Sequence, residues 1–310
     1  MSRYTFLLPA YKAKYLPEAL ESIKGQSYKD FKVIISDDCS PEDIKGAFDR
    51  CVGDDSRFSY RRNERNMGGK SLVSHWNLLI DLCETEFLIL ASDDDIYDRN
   101  FLESIDLLVS KYSQTDIFRG RVRRVNEHGS SFAEEGETDE YLSLMGFTHR
   151  SYAKDFIACV SNYCYRTETL KQNNGFIDFP SAWFSDDATN ILMSQNGCVT
   201  TKDTVFSFRS SELNISSQWG NAEDCKKKIQ ATLSFYTWMK AFLYKYAEDP
   251  LYATVSTEWR HKVYTNIQNH IYHCPLWFLL VNVWRIPNDI GLSKARVIAH
   301  WINNSIRKIL

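Results

Sequence analysis

Short apolar runs alternate with helix-spaced apolar residues along the first 125 positions. Tyr4, Thr5, Phe6, Leu7 and Leu8 read as a first strand, stopped by Pro9. Leu16, Leu20 and Ile23 recur at helical spacing. Phe31, Lys32, Val33, Ile34 and Ile35 form a second strand, and a helix is predicted over 71–82. Phe87, Leu88, Ile89, Leu90 and Ala91 have the length and composition of a strand buried on both faces. Strand and helix units in this order predict an α/β, doubly wound sheet. Residues 126–150 are polar, and their acids Glu134, Glu135, Glu137, Asp139 and Glu140 read as a solvated loop. Residues 151–220 mix short helices and strands. From 221 onward the pattern is helical: Ile229, Leu233, Tyr236, Met239, Phe242, Leu243 and Tyr246 share one helix face, and further helices are predicted over 252–273 and 291–309.

The predicted strands end in acids. Asp93, Asp94 and Asp95 follow the 87–91 run, and Asp37 and Asp38 follow the second strand after Ser36. Open α/β sheets bind ligands at the carboxyl ends of their strands. Three adjacent carboxylates repel one another, and a divalent cation offsets that repulsion; Mg²⁺ takes one or two carboxylates plus substrate phosphates. A metal–diphosphate site is one reading of 93–95, and a solvated turn that caps the next helix is the other.

The ordered set of motifs resembles the family 2 glycosyltransferases with the GT-A fold. Its pieces are Pro9-Ala10-Tyr11, the stretch from Tyr15 to Ile23, Gln26-Ser27-Tyr28, Ser36-Asp37-Asp38-Cys39-Ser40, Asn66-Met67-Gly68-Gly69 and Ser92-Asp93-Asp94-Asp95-Ile96-Tyr97. A second block, 178–216, resembles the family's acceptor half. The resemblance implies a Rossmann-like, mostly parallel central sheet flanked by helices, with a C-terminal helical extension. It implies a GT-A catalytic domain over 1–220, with a nucleotide-sugar half at 1–125 and an acceptor half at 126–220, followed by a helical region at 221–310.

Roles for single residues come from the same resemblance. Pro9 and Tyr11 lie at the uracil of a UDP-sugar, and Asp38 accepts from uracil N3 or its neighbourhood while Asp37 supports the loop. Lys70 reaches a base or phosphate oxygen, or is solvated. The family usually reads Asp-x-Asp-Asp where this chain has Ser92-Asp93-Asp94-Asp95. Asp93 then serves the ribose, Asp94 binds Mg²⁺ or Mn²⁺, and Asp95 orients the loop or touches the sugar. Transfer with inversion needs a base to take the acceptor proton. Asp187 matches the family's base and Asp186 stands where Glu is usual, with Trp183 and Phe184 beside them as platforms for a sugar; a helix cap is the competing reading. Arg209, at a strand end before a flexible run to Gly220, contacts phosphate or makes a structural ion pair. Arg119, Arg121, Arg123 and Arg124 lie on one strand, and a solvated strand face is preferred to an acceptor-phosphate site.

Charge and cysteine usage narrow the partners. A net charge of −3 over 310 residues gives no basic field for nucleic acid. Eight cysteines without a C-x-x-C pair fit free thiols in a reducing compartment. The first residues enter a strand at once, so no signal peptide is expected, and no apolar run approaches the ~20 residues of a membrane span. Ala295, Ile298, Ile302, Ile306 and Ile309 form an apolar helix face beside Lys294, Arg296, Arg307 and Lys308, with Trp301, Trp277, Phe278 and Trp284 near in sequence. Such a helix lies on an anionic membrane or packs. The expectation is a cytoplasmic, inverting, metal-dependent glycosyltransferase, peripheral on the inner face of the cell membrane. It would move sugar from a UDP-sugar to a saccharide or lipid-linked acceptor in bacterial surface-polysaccharide assembly. The alternatives are a nucleotidyltransferase of similar fold, against which the glycine-free loop after strand one counts, and a non-catalytic nucleotide-sugar-binding subunit.

Overall fold

The computed structural model describes residues 2–153, 156, 157, 159–212, 214 and 221–307. In order, the elements are β1 (Tyr4–Ala10), α1 (Leu16–Lys24), β2 (Phe31–Asp37), α2 (Ile44–Val52), β3 (Phe58–Arg62), α3 (Leu72–Asp81), β4 (Phe87–Leu90), β5 (Ile96–Tyr97), α4 (Phe101–Lys111), β6 (Ile117–Val125), β7 (Ser131–Glu134), β8 (Tyr141–Leu142), α5 (Leu144–Tyr152), β9 (Tyr163–Arg166), α6 (Thr167–Gln172), α7 (Ser185–Met193), β10 (Cys198–Arg209), α8 (Ala222–Leu243), α9 (Tyr252–Ile271), α10 (Leu276–Asn282) and α11 (Lys294–Arg307). They form two compact units, one of Met1–Asp178 with Thr189–Ser211 and one of Phe179–Ala188 with Glu212–Leu310.

The first unit holds a mixed sheet in the order β3-β2-β1-β4-β9-β6-β10-β5, with β7 on β6 and β8 on β10. On that path β9 and β5 run against the other strands. β4 is buried along its whole length, as a strand between two helical layers must be. β1 runs two residues past the expected stop. Alternate residues of a strand direct their main-chain groups to opposite neighbours, and Ala10 accepts from Asp38 on the β2 side. Pro9 therefore faces β4, whose ladder ends at the Leu7–Leu90 pair, so its missing N–H breaks no ladder bond.

Both ends of the turn after β4 are pinned. β4 sits in the sheet, and β5 pairs with β10 through Phe206 and Tyr97. Tyr97 packs against Phe6, Phe101 and Phe206 with ring centroids 5.2, 4.8 and 5.0 Å apart, and its hydroxyl donates to the Ser161 carbonyl at 2.7 Å. Full burial of such a side chain contributes roughly 1.5–3 kcal/mol. Gly120 of β6 lets Phe101 and Val205 close in, since a Cβ there would lie 2.8 Å from the Phe101 ring.

Two expectations are corrected here. The 126–150 segment is not an open loop: it forms β7, β8 and the start of α5. Glu135 within it is buried and accepts from the Arg119 guanidinium at 2.7 Å, the Val122 N–H at 3.1 Å and the Ile157 N–H at 2.6 Å. Arg119, Arg121 and Arg123 are likewise no solvated face. Arg119 is fully buried, with its guanidinium 3.9 Å from the Phe156 ring centroid; Arg121 donates to the Glu135 and Lys202 carbonyls, and Arg123 pairs with Asp98. Glu135 and the Phe156 ring cover Arg119.

The second unit is helical. Val255, Trp259, Val263, Ile267 and Ile271 make a buried row along α9 at four-residue steps. α8 buries Ile229, Tyr236, Met239, Phe242 and Leu243 as expected and adds Phe235, while Leu233 is only half-buried. Among the described residues no helix is long and apolar enough to cross a membrane. The terminal helix ends, as described, at Arg307, so Lys308 and Ile309 lie outside the described residues, as do the side chains of Arg296, Ile306 and Arg307.

The buried Arg119–Glu135 pair yields the first prediction. Glu135→Ala leaves an uncompensated guanidinium inside the sheet and should cost about 3–5 kcal/mol in urea unfolding. Arg124→Ala, at an exposed position, should stay within about 0.5 kcal/mol.

Candidate functional site

The strand-end acids converge as the apolar runs require. Asp93 Oδ2 accepts the main-chain N–H groups of Tyr11 and Lys12, each at 2.8 Å. One carboxylate thereby ties the turn after β4 to the end of β1. Asp95 is buried and accepts from Ser92 Oγ at 2.6 Å and from the Arg209 N–H at 2.9 Å. Asp94 lies half-buried between them. Burial, then the charge of Asp94, pushes Asp93 up to about 6 and Asp95 up to about 8. Burial also raises Asp94. Loss of water is the main cause of these shifts, and the Asp94 charge adds to those of Asp93 and Asp95.

Asp37 and Asp38 divide the work after β2. Asp37 is fully buried and accepts from the Ser40 N–H at 2.8 Å, the Tyr60 hydroxyl at 2.6 Å and the Arg62 guanidinium. Cys39 between the two loops takes φ 55°, a left-handed conformation rare outside glycine. Asp38 accepts from Asn63 Nδ2 at 2.8 Å and the N–H groups of Met67 and Gly68 at 2.9 and 2.7 Å. Burial would raise its pKa, but these donors and the nearby His75 hold it below the usual carboxylate range. At Gly68 a Cβ would stand 3.0 Å from Asp38 Oδ2, so glycine permits the close turn. The 66–69 turn leads into α3, capped by Ser71 Oγ accepting the Ser74 N–H at 3.0 Å. Lys70 is exposed at that helix start, and Tyr11 is 40% exposed above the end of β1. Pro9, Tyr11, Asp38, Lys70, Asp93, Asp94, Asp95 and Arg209 all belong to the first unit.

Arg209 is almost wholly buried and internally engaged. Its Nε donates to the Asp94 carbonyl and its Nη1 to the Glu127 carbonyl, both at 2.9 Å. Its Nη2 pairs with Glu18, and its guanidinium lies 4.5 Å from the Tyr15 ring centroid. Of the two roles open for this residue, the ion pair is the one present. The flexible run expected after it falls, at 213 and 215–220, outside the described residues.

Asp186 and Asp187 belong to the second unit, in the first turn of α7. Ser181, Ala182 and Phe184, just before them, take φ of 57°, 55° and 68°. Such left-handed, non-glycine backbone persists only where packing enforces it, and it gathers at functional sites. Phe184 is enforced by a stack on Phe235 at 4.4 Å and 6°, so it is core rather than a platform for a sugar. Trp183 stays half-buried, donating from Nε1 to Asn266 Oδ1 at 3.0 Å with the Lys228 ammonium 4.7 Å from its ring. Burial, then the charge of Asp187, pushes Asp186 up to about 7; burial raises Asp187 as well, against the pull of Lys262.

The partners that position these acids were not visible beforehand. Asn63 and His75 have no local signal, because they meet Asp38 only through the fold, and Glu18 likewise meets Arg209. Ser92 was legible, three residues from Asp95. As for a metal, the hard oxygens and charge of 93–95 suit Mg²⁺ or Mn²⁺. Among the described residues no three His, Cys, Asp or Glu side chains gather as a complete ligand set. Among the described residues no disulfide joins any of the eight cysteines.

Residues 5–167 match the model of the family described as Glycosyl transferase family 2. A Campylobacter jejuni protein named GalNAc(5)-diNAcBac-PP-undecaprenol beta-1,3-glucosyltransferase is 31% identical over 96 residues, 31% of this chain and 30% of its own. The Streptococcus pneumoniae glycosyltransferase GlyG is 27% identical over 127 residues, 41% of each. The matches thus span less than half of these relatives. Among solved structures, S. aureus TarS 1-349 in complex with UDP-GlcNAc aligns with TM-score 0.62 and 15% identity over 99% of this chain and 92% of that one. The Pyrobaculum calidifontis mannosyltransferase PcManGT in complex with GDP-Man and Mn2+ aligns with TM-score 0.54 and 16% identity over 98% and 80%. These likenesses show a GT-A-like fold.

Arg209 provides the prediction of this site. Arg209→Ala leaves the Asp94 and Glu127 carbonyls without their clamp and should cost about 2–4 kcal/mol in denaturant unfolding. Arg209→Lys should recover only part of it, because an ammonium cannot reproduce the fork.

Proposed function

The chain belongs to glycosyl transferase family 2, and we propose that it is an inverting glycosyltransferase. It moves sugar from a UDP-sugar to a saccharide or lipid-linked saccharide in bacterial surface-polysaccharide assembly, on the cytoplasmic side of the membrane. We keep 1–220 as its catalytic domain and 221–310 as the helical extension. The observation that carries the reading is the Asp93 carboxylate holding the Tyr11 and Lys12 N–H groups at the carboxyl edge of the sheet. The ligands of the two structures of similar fold, UDP-GlcNAc and GDP-Man with Mn2+, and the undecaprenol-linked acceptor in the name of the Campylobacter protein support donor and acceptor class.

The uracil lies between Tyr11 and the turn held by Asp38, near Pro9. Asp93 keeps acceptor capacity beyond its two N–H bonds for a ribose hydroxyl, since a carboxylate offers about four lone-pair sites. Lys70 brings an exposed positive charge toward the diphosphate. Asp94 holds the cation, which when bound neutralises charge on the departing diphosphate. Asp95 and Arg209 keep the Asp94 main chain in place. On the acceptor side Asp187 takes the hydroxyl proton, with burial keeping its pKa raised, and Asp186 stands beside it. A base with a raised pKa accepts a proton more readily from an alcohol.

Turnover and donor affinity measured for two variants test this. Asp187→Asn should slow transfer roughly 10²- to 10⁴-fold while UDP-sugar affinity holds. Asp94→Asn should weaken donor and metal binding together. Normal turnover in Asp187→Asn with loss in Asp186→Asn would move the base to Asp186; normal turnover in both would reduce the acid pair to a helix cap and overturn the mechanism.

The pH profile follows from the raised carboxyls. The base works deprotonated, so turnover should fall as pH drops through the pKa of Asp187, which burial raises above the usual carboxylate range.

A further inference from the structure

α10 and the turn after it present an apolar face that the second unit leaves uncovered. Leu276, Trp277, Leu280 and Val281 are 41, 60, 48 and 58% exposed, and Trp284 is 71% exposed. Their spacing places them on one side of the helix. The opposite side is anchored: Phe278, Leu279, Asn282 and Val283 are buried. A folded domain rarely leaves two tryptophans and three aliphatics contiguous in water.

The surroundings of this face are cationic. The Lys226 ammonium, which also pairs with Glu223, lies 4.9 Å from the Trp277 ring centroid, and the Lys294 ammonium 5.7 Å from that of Trp284. Arg285, in the turn, is exposed. From 259 onward the sequence has one acid, Asp289. It is already held by the Tyr236 hydroxyl, Lys240 and Arg260. A short helix with tryptophans on its outer face and cations at its rim suits the headgroup zone of a bilayer, where amphipathic rings settle and anionic lipids attract the bases. At seven residues it is about 10 Å long, far too short to span.

We propose that this α10 face is the membrane contact, seated in the interface of an anionic phospholipid bilayer. The contact moves from where the sequence alone placed it. In α11 Val297 is buried, and the Trp301 indole donates to the Cys274 carbonyl at 2.9 Å. α11 therefore braces the chain at the start of α10 and does not spend its tryptophan on lipid. A second copy fits less well, because a two-fold contact through this face would bring Lys226, Arg285 and Lys294 against their own copies.

The test is co-sedimentation of the full chain with vesicles of phosphatidylglycerol or of phosphatidylcholine at low salt. Binding to phosphatidylglycerol should exceed that to phosphatidylcholine by about tenfold or more, with tryptophan emission shifted to the blue. Trp277→Ala with Trp284→Ala should weaken it by about tenfold or more, and Val281→Glu should do the same by repulsion. All three positions are exposed, so circular dichroism should be unchanged. Absent binding to phosphatidylglycerol, or equal binding by wild type and both variants, overturns the proposal. A concentration-dependent dimer that the variants abolish overturns it in favour of a second copy. UDP affinity, measured alongside, reports separately on the proposed reaction.

Discussion

One carboxylate, that of Asp93, joins the ends of two strands, and the site is built around it. Its two N–H bonds fix Tyr11 and Lys12 over the end of β1. Asp94 and Asp95 are thereby held beside it, at the mouth of a strand buried on both faces. The cost is crowding of charge in a place that water solvates poorly, expressed in the raised pKa values of all three acids. The rest of the first unit acts against that cost: β5 is pinned to β10, Arg209 bonds the Asp94 carbonyl, and main-chain N–H groups meet Asp93 and Asp95.

The second acidic pair obeys a related rule with different means. Asp186 and Asp187 follow three left-handed residues, and the Phe184–Phe235 stack stabilises that backbone. Here aromatic packing, and not a buried guanidinium, aims the carboxylates. Each unit thus carries a pair or triple of raised acids on a locally constrained turn. That is the arrangement expected where titration behaviour serves chemistry.

Much of the architecture was legible from periodicity. The runs that became β1 and β4 are continuous because both faces are buried, while β2 exposes Lys32, and the serine that caps α3 stands at its predicted start. The acid clusters were legible because strand ends and adjacent aspartates are local. What was not legible depends on distant partners. Glu135 reads as one acid in a polar run until Arg119, sixteen residues earlier, is folded against it. Arg209 reads as a phosphate contact or an ion pair, and its bonds to the carbonyls of Asp94 and Glu127 have no local signal. The outer face of α10 reads as ordinary apolar sequence, since no pattern distinguishes a helix side that is packed from one left open.

The central claim is that the crowded acids after β4 bind a diphosphate through a cation. Calorimetric titration of UDP into the full chain, with Mn²⁺ and then with EDTA, tests it most directly. The account predicts that removing the cation weakens UDP by about tenfold or more, because Asp93, Asp94 and Asp95 then repel the phosphates unscreened. Equal affinity with and without the cation would contradict it.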